Sequence, residues 1–302
     1  MTAYAEIFGL TGRPFRLEPD PDWFFDCRAQ RETLARLTAA LAEGTSLNVL
    51  TGEAGVGKTI LARLIEARLQ QPGLPILHFR ADDIEAVDQA RLNHTSGRKL
   101  LIIIDEAQRL PRPKLEQLAG LSGIAGVRIL MLGRPELLER LRDSSSNIAR
   151  KAVRGALTLK PLGSDEVAPY VHHRMRLAGW RGERILTRAG RDALFLASGG
   201  YPRRLGRICA RALALAAIDG QRTIDATLVE QAVRDTMKPA GRGHDNDLGA
   251  LQARVDRLQN ALDYGGTGST GRARREAALD IEAAQRLLRW LSRMQEEQGR
   301  RL

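Results

Sequence analysis

One loop constrains this chain more than any other stretch. Residues 47–64 read LNVLTGEAGVGKTILARL: an apolar run (Leu47, Val49, Leu50) stops at a glycine-rich turn that opens into a helix-periodic segment with Ile60, Leu61, Leu64 and Ile65. Strand, loop and helix therefore follow one another directly. Within the loop, Gly52, Gly57, Lys58 and Thr59 match G-x-x-x-x-G-K-[ST] in the context that gives this motif its meaning. Glycines let successive backbone N–H groups curl around phosphate oxygens, and the first helical turn adds unpaired donors and the positive end of its dipole. The predicted phosphate-binding segment is Gly52, Glu53, Ala54, Gly55, Val56, Gly57, Lys58, Thr59 and Ile60. Lys58 is placed to reach β- and γ-phosphates, and the Thr59 hydroxyl to hold Mg²⁺.

A second signal lies about fifty residues on. KLLIIIDEAQRL contains a near-continuous apolar strand, Leu100 to Ile104, of the kind buried on both faces of a parallel sheet, with Asp105 and Glu106 at its carboxyl end. Ligands of α/β sheets bind at that end. A DE pair there supplies one carboxylate to orient Mg²⁺ through its water shell, Asp105, and one to polarise an attacking water, Glu106.

The remaining pattern alternates and then changes. PILHF (75–79), VRILML (127–132) and residues 156–159 read as further strands, with helices over 28–43, 83–93 and 136–142 and a polar loop over 143–147. His78 has no partner at ligand spacing and reads as a satisfied core histidine. This implies an α/β fold, a doubly wound parallel sheet flanked by helices. From Ser164 the period becomes helical throughout: 164–178, 187–197, 202–218 and 225–236, the last three entered by Thr187, Pro202 and Asp225. An all-helical lid domain is expected to follow the sheet. Residues 4–26 crowd Phe8, Phe15, Trp23, Phe24 and Phe25 among Pro14, Pro19 and Pro21, which predicts an extended strap pinned to a core by its rings. Past a linker at 239–247, Leu248, Leu251, Val255, Leu258 and Leu262 form an a/d seam, and after 265–271 a second helix carries Ala277, Ile281, Ala284, Leu288 and Leu291. The expected divisions are 1–44, strap and helix; 45–160, sheet domain; 161–238, helical lid; and 239–302, linker and a carboxyl-terminal helical pair.

Composition narrows the setting. Cys27 and Cys209 lie far apart with no metal-ligand spacing, so neither a disulfide framework nor a zinc site is expected, and a reducing cytoplasm fits. No apolar run approaches the length of a membrane span, and the amino terminus lacks a signal-peptide pattern. The net charge of +11 is concentrated in residues 136–240, which carry 19 basic and 11 acidic residues. That excess keeps double-stranded DNA open as a partner.

Taken together, FGLTGRPFRLEPDPDWFF, LTGEAGVGKT, LLIIIDEAQRL, LGRPEL and SGGYPRRLGRICARALALA resemble AAA+ ATPases of the general secretion pathway protein A (ExeA/GspA) type, over about residues 4–236. The resemblance is to short cytosolic members of a group that also includes ATPases of pilus biogenesis and exopolysaccharide export. It implies ATP and Mg²⁺ as cofactors, hydrolysis to ADP and phosphate, and an ATP-dependent homo-oligomer. It further implies sensor-1 duty near Arg134, sensor-2 duty for Arg203, and an arginine finger from 147–154 with Arg150 and Arg154 as candidates. A finger has to be a permanently charged planar donor because the transition state spreads charge over several oxygens.

Three departures stand against that pattern. Twenty residues, 80–99, separate the second strand from the Asp105 strand where related proteins have a longer insert, Arg134 replaces a usual Gln, and neither a transmembrane segment nor a peptidoglycan-binding domain is expected after the lid. The implied function is an assembly factor acting on a protein partner in a secretion, pilus or polysaccharide-export machine, cytoplasmic or held at the inner membrane through that partner. The alternatives are an ATP-dependent DNA-binding transposition regulator of the MuB or TniB type, favoured by the basic middle segment, and a nucleotide-gated scaffold.

Overall fold

The computed structural model describes residues 3–16, 18–70, 74–83, 99–144 and 146–236. The expected helix over 83–93 and the carboxyl-terminal helical pair lie outside the described residues. Among the described residues, contacts form two compact units, one within residues 16–162 with 201–203 and the other made of residues 3–15, 163–200 and 204–236. The aromatic strap divides between them at Phe15 and Arg16.

The first unit is a parallel sheet of β1 (Leu47–Thr51), β2 (Ile76–Arg80), β3 (Leu100–Asp105), β4 (Val127–Gly133) and β5 (Leu157–Thr158), in the order β2-β3-β4-β1-β5. Pairing is in parallel register throughout, with Leu47 opposite Ile129, Thr51 opposite Gly133, and Ile104 opposite Met131. Alternation along the central strands decides which layer each residue joins. Ile102, Ile104, Ile129 and Met131 point into one core, while Leu101, Ile103, Leu130 and Leu132 point into the other. All eight are at most 1% exposed, which is why these strands carry no polar alternation. Each such side chain contributes roughly 1.5–3 kcal/mol by leaving water.

Helices cover both faces. Leu34, Leu37 and Leu41 of α2 (Arg28–Glu43) and Leu61 and Ile65 of α3 (Lys58–Leu69) fill one core. The other takes Leu115 and Leu118 of α4 (Arg112–Leu121), Leu137 and Leu141 of α5 (Glu136–Arg142) and Ala149 of α6 (Asn147–Arg154). Two of these helices correct the sequence reading, which assigned no element to 112–121 and a loop up to Asn147. Pro111 and Pro113 look like breakers, yet one precedes α4 and the other sits in its first turn, where a missing N–H costs nothing. Ser146 caps α6 by accepting from the Ala149 N–H at 3.4 Å.

The second unit is helical. It contains α1 (Ala3–Ile7), α7 (Ser164–Leu177), α8 (Arg188–Ser198), α9 (from Pro202 to Ile218, whose first residues count with the sheet) and α10 (Ala226–Thr236). Thr187 caps α8 through the Gly190 N–H at 3.0 Å, and Asp225 caps α10 through the Leu228 N–H at 2.9 Å. The strap departs from the extended reading at its start, because prolines from position 14 onward leave Ala3–Ile7 free to form a helix. Thr11 N–H donates to the Ala178 carbonyl at 2.8 Å, and the buried Arg174 donates its Nε–H to the Pro14 carbonyl at 2.8 Å. Phe8 and Trp23 are buried as expected, whereas Phe15, Phe24 and Phe25 are half-buried. Among the described residues, no helix is long and apolar enough to cross a membrane. Both cysteines are buried thiols outside any disulfide.

Candidate functional site

The carboxyl ends of β1, β3 and β4 share one edge of the sheet, because three parallel neighbours in near-level register must end together. After Thr51 the chain turns over Gly52 to Gly57 and enters α3 at Lys58. Gly55 and Gly57 take φ values of +81° and +114°, a region L side chains rarely adopt. Gly57 is thereby the residue that redirects the loop into the helix. Gly55 is required twice over: an added Cβ would lie 2.6 Å from the Cβ of Arg203, whose N–H donates to the Gly55 carbonyl at 3.2 Å.

Lys58 is 5% exposed, and its ammonium donates to the Gly52 carbonyl at 2.7 Å and the Glu53 carbonyl at 3.2 Å. Burial pulls its pKa below the ordinary lysine value; Glu106 and Asp105 oppose that pull and Arg134 adds to it. The Thr59 hydroxyl donates to Asp105 Oδ2 at 2.6 Å, joining the first turn of α3 to the end of β3. A hydroxyl and a carboxylate converging in this way form a hard-oxygen donor pair. That suits Mg²⁺, which keeps several waters and takes its remaining ligands from phosphates, so no dedicated cage of three carboxylates is needed. Among the described residues, no such cage of three or more His, Cys, Asp or Glu is found.

Glu106 adopts φ 57° and ψ 33°, the sole left-handed non-glycine among the described residues. Its N–H donates to Asp105 Oδ1 at 2.8 Å, and the turn continues into a short 3₁₀ helix at Ala107–Arg109. Holding a Glu in that region costs about 1–2 kcal/mol, and strain of this kind persists where neighbouring contacts over-determine it. One of those contacts was not foreseen. Gln108 donates its Nε2–H to Glu106 Oε2 at 2.5 Å, while its Oε1 accepts the Arg134 N–H at 3.1 Å. Its backbone carbonyl accepts from Arg140, which also donates to the Leu110 carbonyl at 2.6 Å. Gln108 thus connects the end of β3 to the end of β4 and holds one Glu106 oxygen.

The chain therefore brings Gly52–Ile60, Asp105, Glu106, Arg134 and Arg203 into the sheet unit around one edge. Arg134 is exposed and acts on Lys58 through its charge. Arg150 and Arg154 lie on α6. Arg150 donates to the Ser144 carbonyl at 3.2 Å and to Asn147 Oδ1, and neither arginine bonds the loop, Asp105 or Glu106 among the described residues. His78 pairs with Glu66 at 3.3 Å and so is satisfied, but it is half-buried at the side of the sheet rather than in a core.

No family model matches the chain. General secretion pathway protein A of Aeromonas hydrophila is 28% identical to it over 73% of this chain and 46% of that protein. The chain thus spans about half the length of the curated relative it matches, and the resemblance carried by the motifs is borne out. Similar solved structures include Cdc6p from Pyrobaculum aerophilum (TM-score 0.58, 12% identity, 92% of this chain and 89% of that one). Domain III of the Thermotoga maritima replication initiation protein DnaA gives 0.55 at 14% identity, over 75% of this chain and 100% of that one. The Thermotoga maritima RuvB Holliday junction branch migration motor gives 0.51 at 20% identity, over 90% and 86%. At these identities the likeness shows the fold alone, a five-stranded parallel sheet flanked by helices with a mostly helical remainder.

Proposed function

We propose that this chain binds ATP with Mg²⁺ and hydrolyses it to ADP and phosphate, and that turnover drives assembly of a secretion or export machine. The observation that carries the proposal is the 2.6 Å bond from Thr59 to Asp105 beside a buried Lys58, at the sheet edge where Glu106 also stands. The relative's name, a general secretion pathway protein, supplies the machine. When bound, Mg²⁺ would be held by Thr59 and through water by Asp105, and would neutralise charge on the β- and γ-phosphates. Backbone N–H groups of the loop and the Lys58 ammonium grip those phosphates. Glu106, with Oε2 already engaged by Gln108, accepts a hydrogen bond from the attacking water through Oε1. Water adds to the γ-phosphorus as its bond to the β-bridging oxygen breaks. Arg203, docked by its backbone on Gly55, reports the nucleotide from the same chain.

Arg150 and Arg154, both exposed, serve a neighbouring subunit as finger donors, so the active form is a homo-oligomer. The setting is cytoplasmic, at the inner membrane only through a partner. The basic 136–240 segment favours one second reading, an ATP-dependent DNA-bound regulator.

The test is turnover and nucleotide retention in Lys58→Ala and Glu106→Gln. Lys58→Ala should lose ATP binding; Glu106→Gln should retain ATP and lose hydrolysis by at least about a hundredfold. Turnover in Glu106→Gln equal to wild type would overturn the assignment. Mixing Lys58→Ala with Arg150→Ala or Arg154→Ala should restore part of the activity if the site is shared between subunits.

A further inference from the structure

Two clefts lie side by side on the helical unit. The first, about 640 Å³, runs between α7 and the start of α8, with Arg176, Arg184, Arg188 and Arg191 at its wall and Ala168, Pro169, Ile185 and Leu186 along it. The second, about 600 Å³, shares Glu183 and Arg184 with the first and adds Arg181 and Arg222. Glu6 and Glu183 are the acidic residues lining them. Six arginines thus face two carboxylates along one continuous track.

The arginines fall into two kinds. Arg176 and Arg191 are already set in place. Arg176 donates to the carbonyls of Trp180 (3.3 Å) and Gly182 (3.1 Å) with its guanidinium 5.4 Å from the Trp180 ring centre, and Arg191 grips Asp192 Oδ1 at 2.6 and 2.8 Å. Arg184 and Arg188 are exposed, and neither makes a hydrogen bond or ion pair among the described residues. A fixed guanidinium keeps its remaining donors aimed, and a free one closes on whatever arrives. Like charges gathered at this density repel one another, and an anion relieves the repulsion. A guanidinium fork matches phosphate oxygens in two-point geometry, and no lysine lines either cleft. The N–H groups that open α8 behind Thr187 add donors at the same place. A track shared by two clefts suits a polymer with regularly spaced charges better than a compact metabolite, and its apolar wall suits sugars and bases.

We infer that this double cleft binds the phosphate backbone of a nucleic acid, with Arg184 and Arg188 closing on successive phosphates. The site is independent of the nucleotide loop. It is tested with full-length protein and a fluorescein-labelled 30-base-pair duplex, by anisotropy across a salt series, comparing wild type with Arg184→Glu/Arg188→Glu. Arg28→Glu/Arg31→Glu on α2 makes the same change in net charge and is the control. The cleft variant should bind about tenfold more weakly, and the slope of log affinity against log salt should fall by about two contacts' worth. The control should stay within about twofold of wild type. Arg184→Lys/Arg188→Lys should recover the slope. ATP turnover, unchanged in both glutamate variants, reports folding and separates this result from the ATPase assignment. Equal weakening in cleft variant and control, no duplex binding by wild type, or displacement of the duplex by poly-glutamate at lower charge concentration would each overturn the inference, the last in favour of an acidic protein surface.

Discussion

Lys58 and Asp105 in the sheet unit are each 5% exposed and held by hydrogen bonds, whereas Arg184 and Arg188 in the helical unit stand exposed with no side-chain partner among the described residues. On the functions proposed above, Lys58 and the cleft arginines present positive charge to an anion by opposite means. In the sheet unit, charge is desolvated, so each group has to be matched by another at hydrogen-bond distance and a single change propagates. In the helical unit water already satisfies the free guanidinium groups, so single changes there stay local. Sensitivity to substitution should therefore separate the two regions.

The largest effect that sharpens this contrast is expected at Gln108. Gln108→Ala frees the Glu106 carboxylate and unlinks it from the Arg134 N–H. It should lower kcat about tenfold to a hundredfold, the scale of a misplaced general base, while leaving the ATP Kd within about twofold. Single-turnover hydrolysis beside equilibrium nucleotide binding measures the two separately. Unchanged kcat would show that Glu106 needs no such support.

Gly55→Ala comes next. The added methyl meets the Arg203 Cβ and sits at φ +81°, so about 2 kcal/mol of stability should be lost, read as a fall in Tm, with weaker ATP binding alongside. A neutral result would mean that the first turn of α9 withdraws from the loop at no cost.

Lys58 provides a pH test. Phosphates bind its charged form, and burial holds its pKa below the ordinary lysine value. ATP affinity should therefore be full below the lowered pKa and fall by up to about tenfold per pH unit above it, beginning before a solvated lysine would titrate. A profile flat to the ordinary lysine range, measured by fluorescent-nucleotide titration, would contradict the lowered value.

The smallest effect belongs to the helical unit. Arg184→Ala should change stability by no more than about 0.5 kcal/mol in thermal or denaturant unfolding. A loss of several times that size would break the comparison and show Arg184 to be structural.

Legibility followed the same division. Gly52, Gly57, Lys58 and Thr59 were readable because a glycine-rich strand-to-helix loop is local: its geometry is written in adjacent residues. Asp105 and Glu106 were readable because an acidic pair closing an all-apolar strand, about fifty residues after such a loop, is a pattern of sequence spacing. The caps at Thr187 and Asp225 were equally local. Gln108 was in plain view within IDEAQ, but its role depends on Glu106 adopting a left-handed backbone and on β4 ending beside β3. Neither follows from spacing. Helix α4 was hidden by two prolines whose positions are harmless only once the first turn is located. The short α1 was hidden by prolines that begin after it ends.

By itself, then, the chain determined its strands, the glycine-rich loop that opens α3 and the carboxylates at the end of β3, because period-two burial and glycine-dependent turns are properties of neighbouring residues. Tertiary structure alone decided that Arg203 docks on Gly55, that Gln108 joins Glu106 to Arg134, and that six arginines spread over residues 176–222 line one track. Those arrangements depend on which elements lie side by side, and hydrophobic burial, which is not directional, selects that packing without writing it into any local pattern.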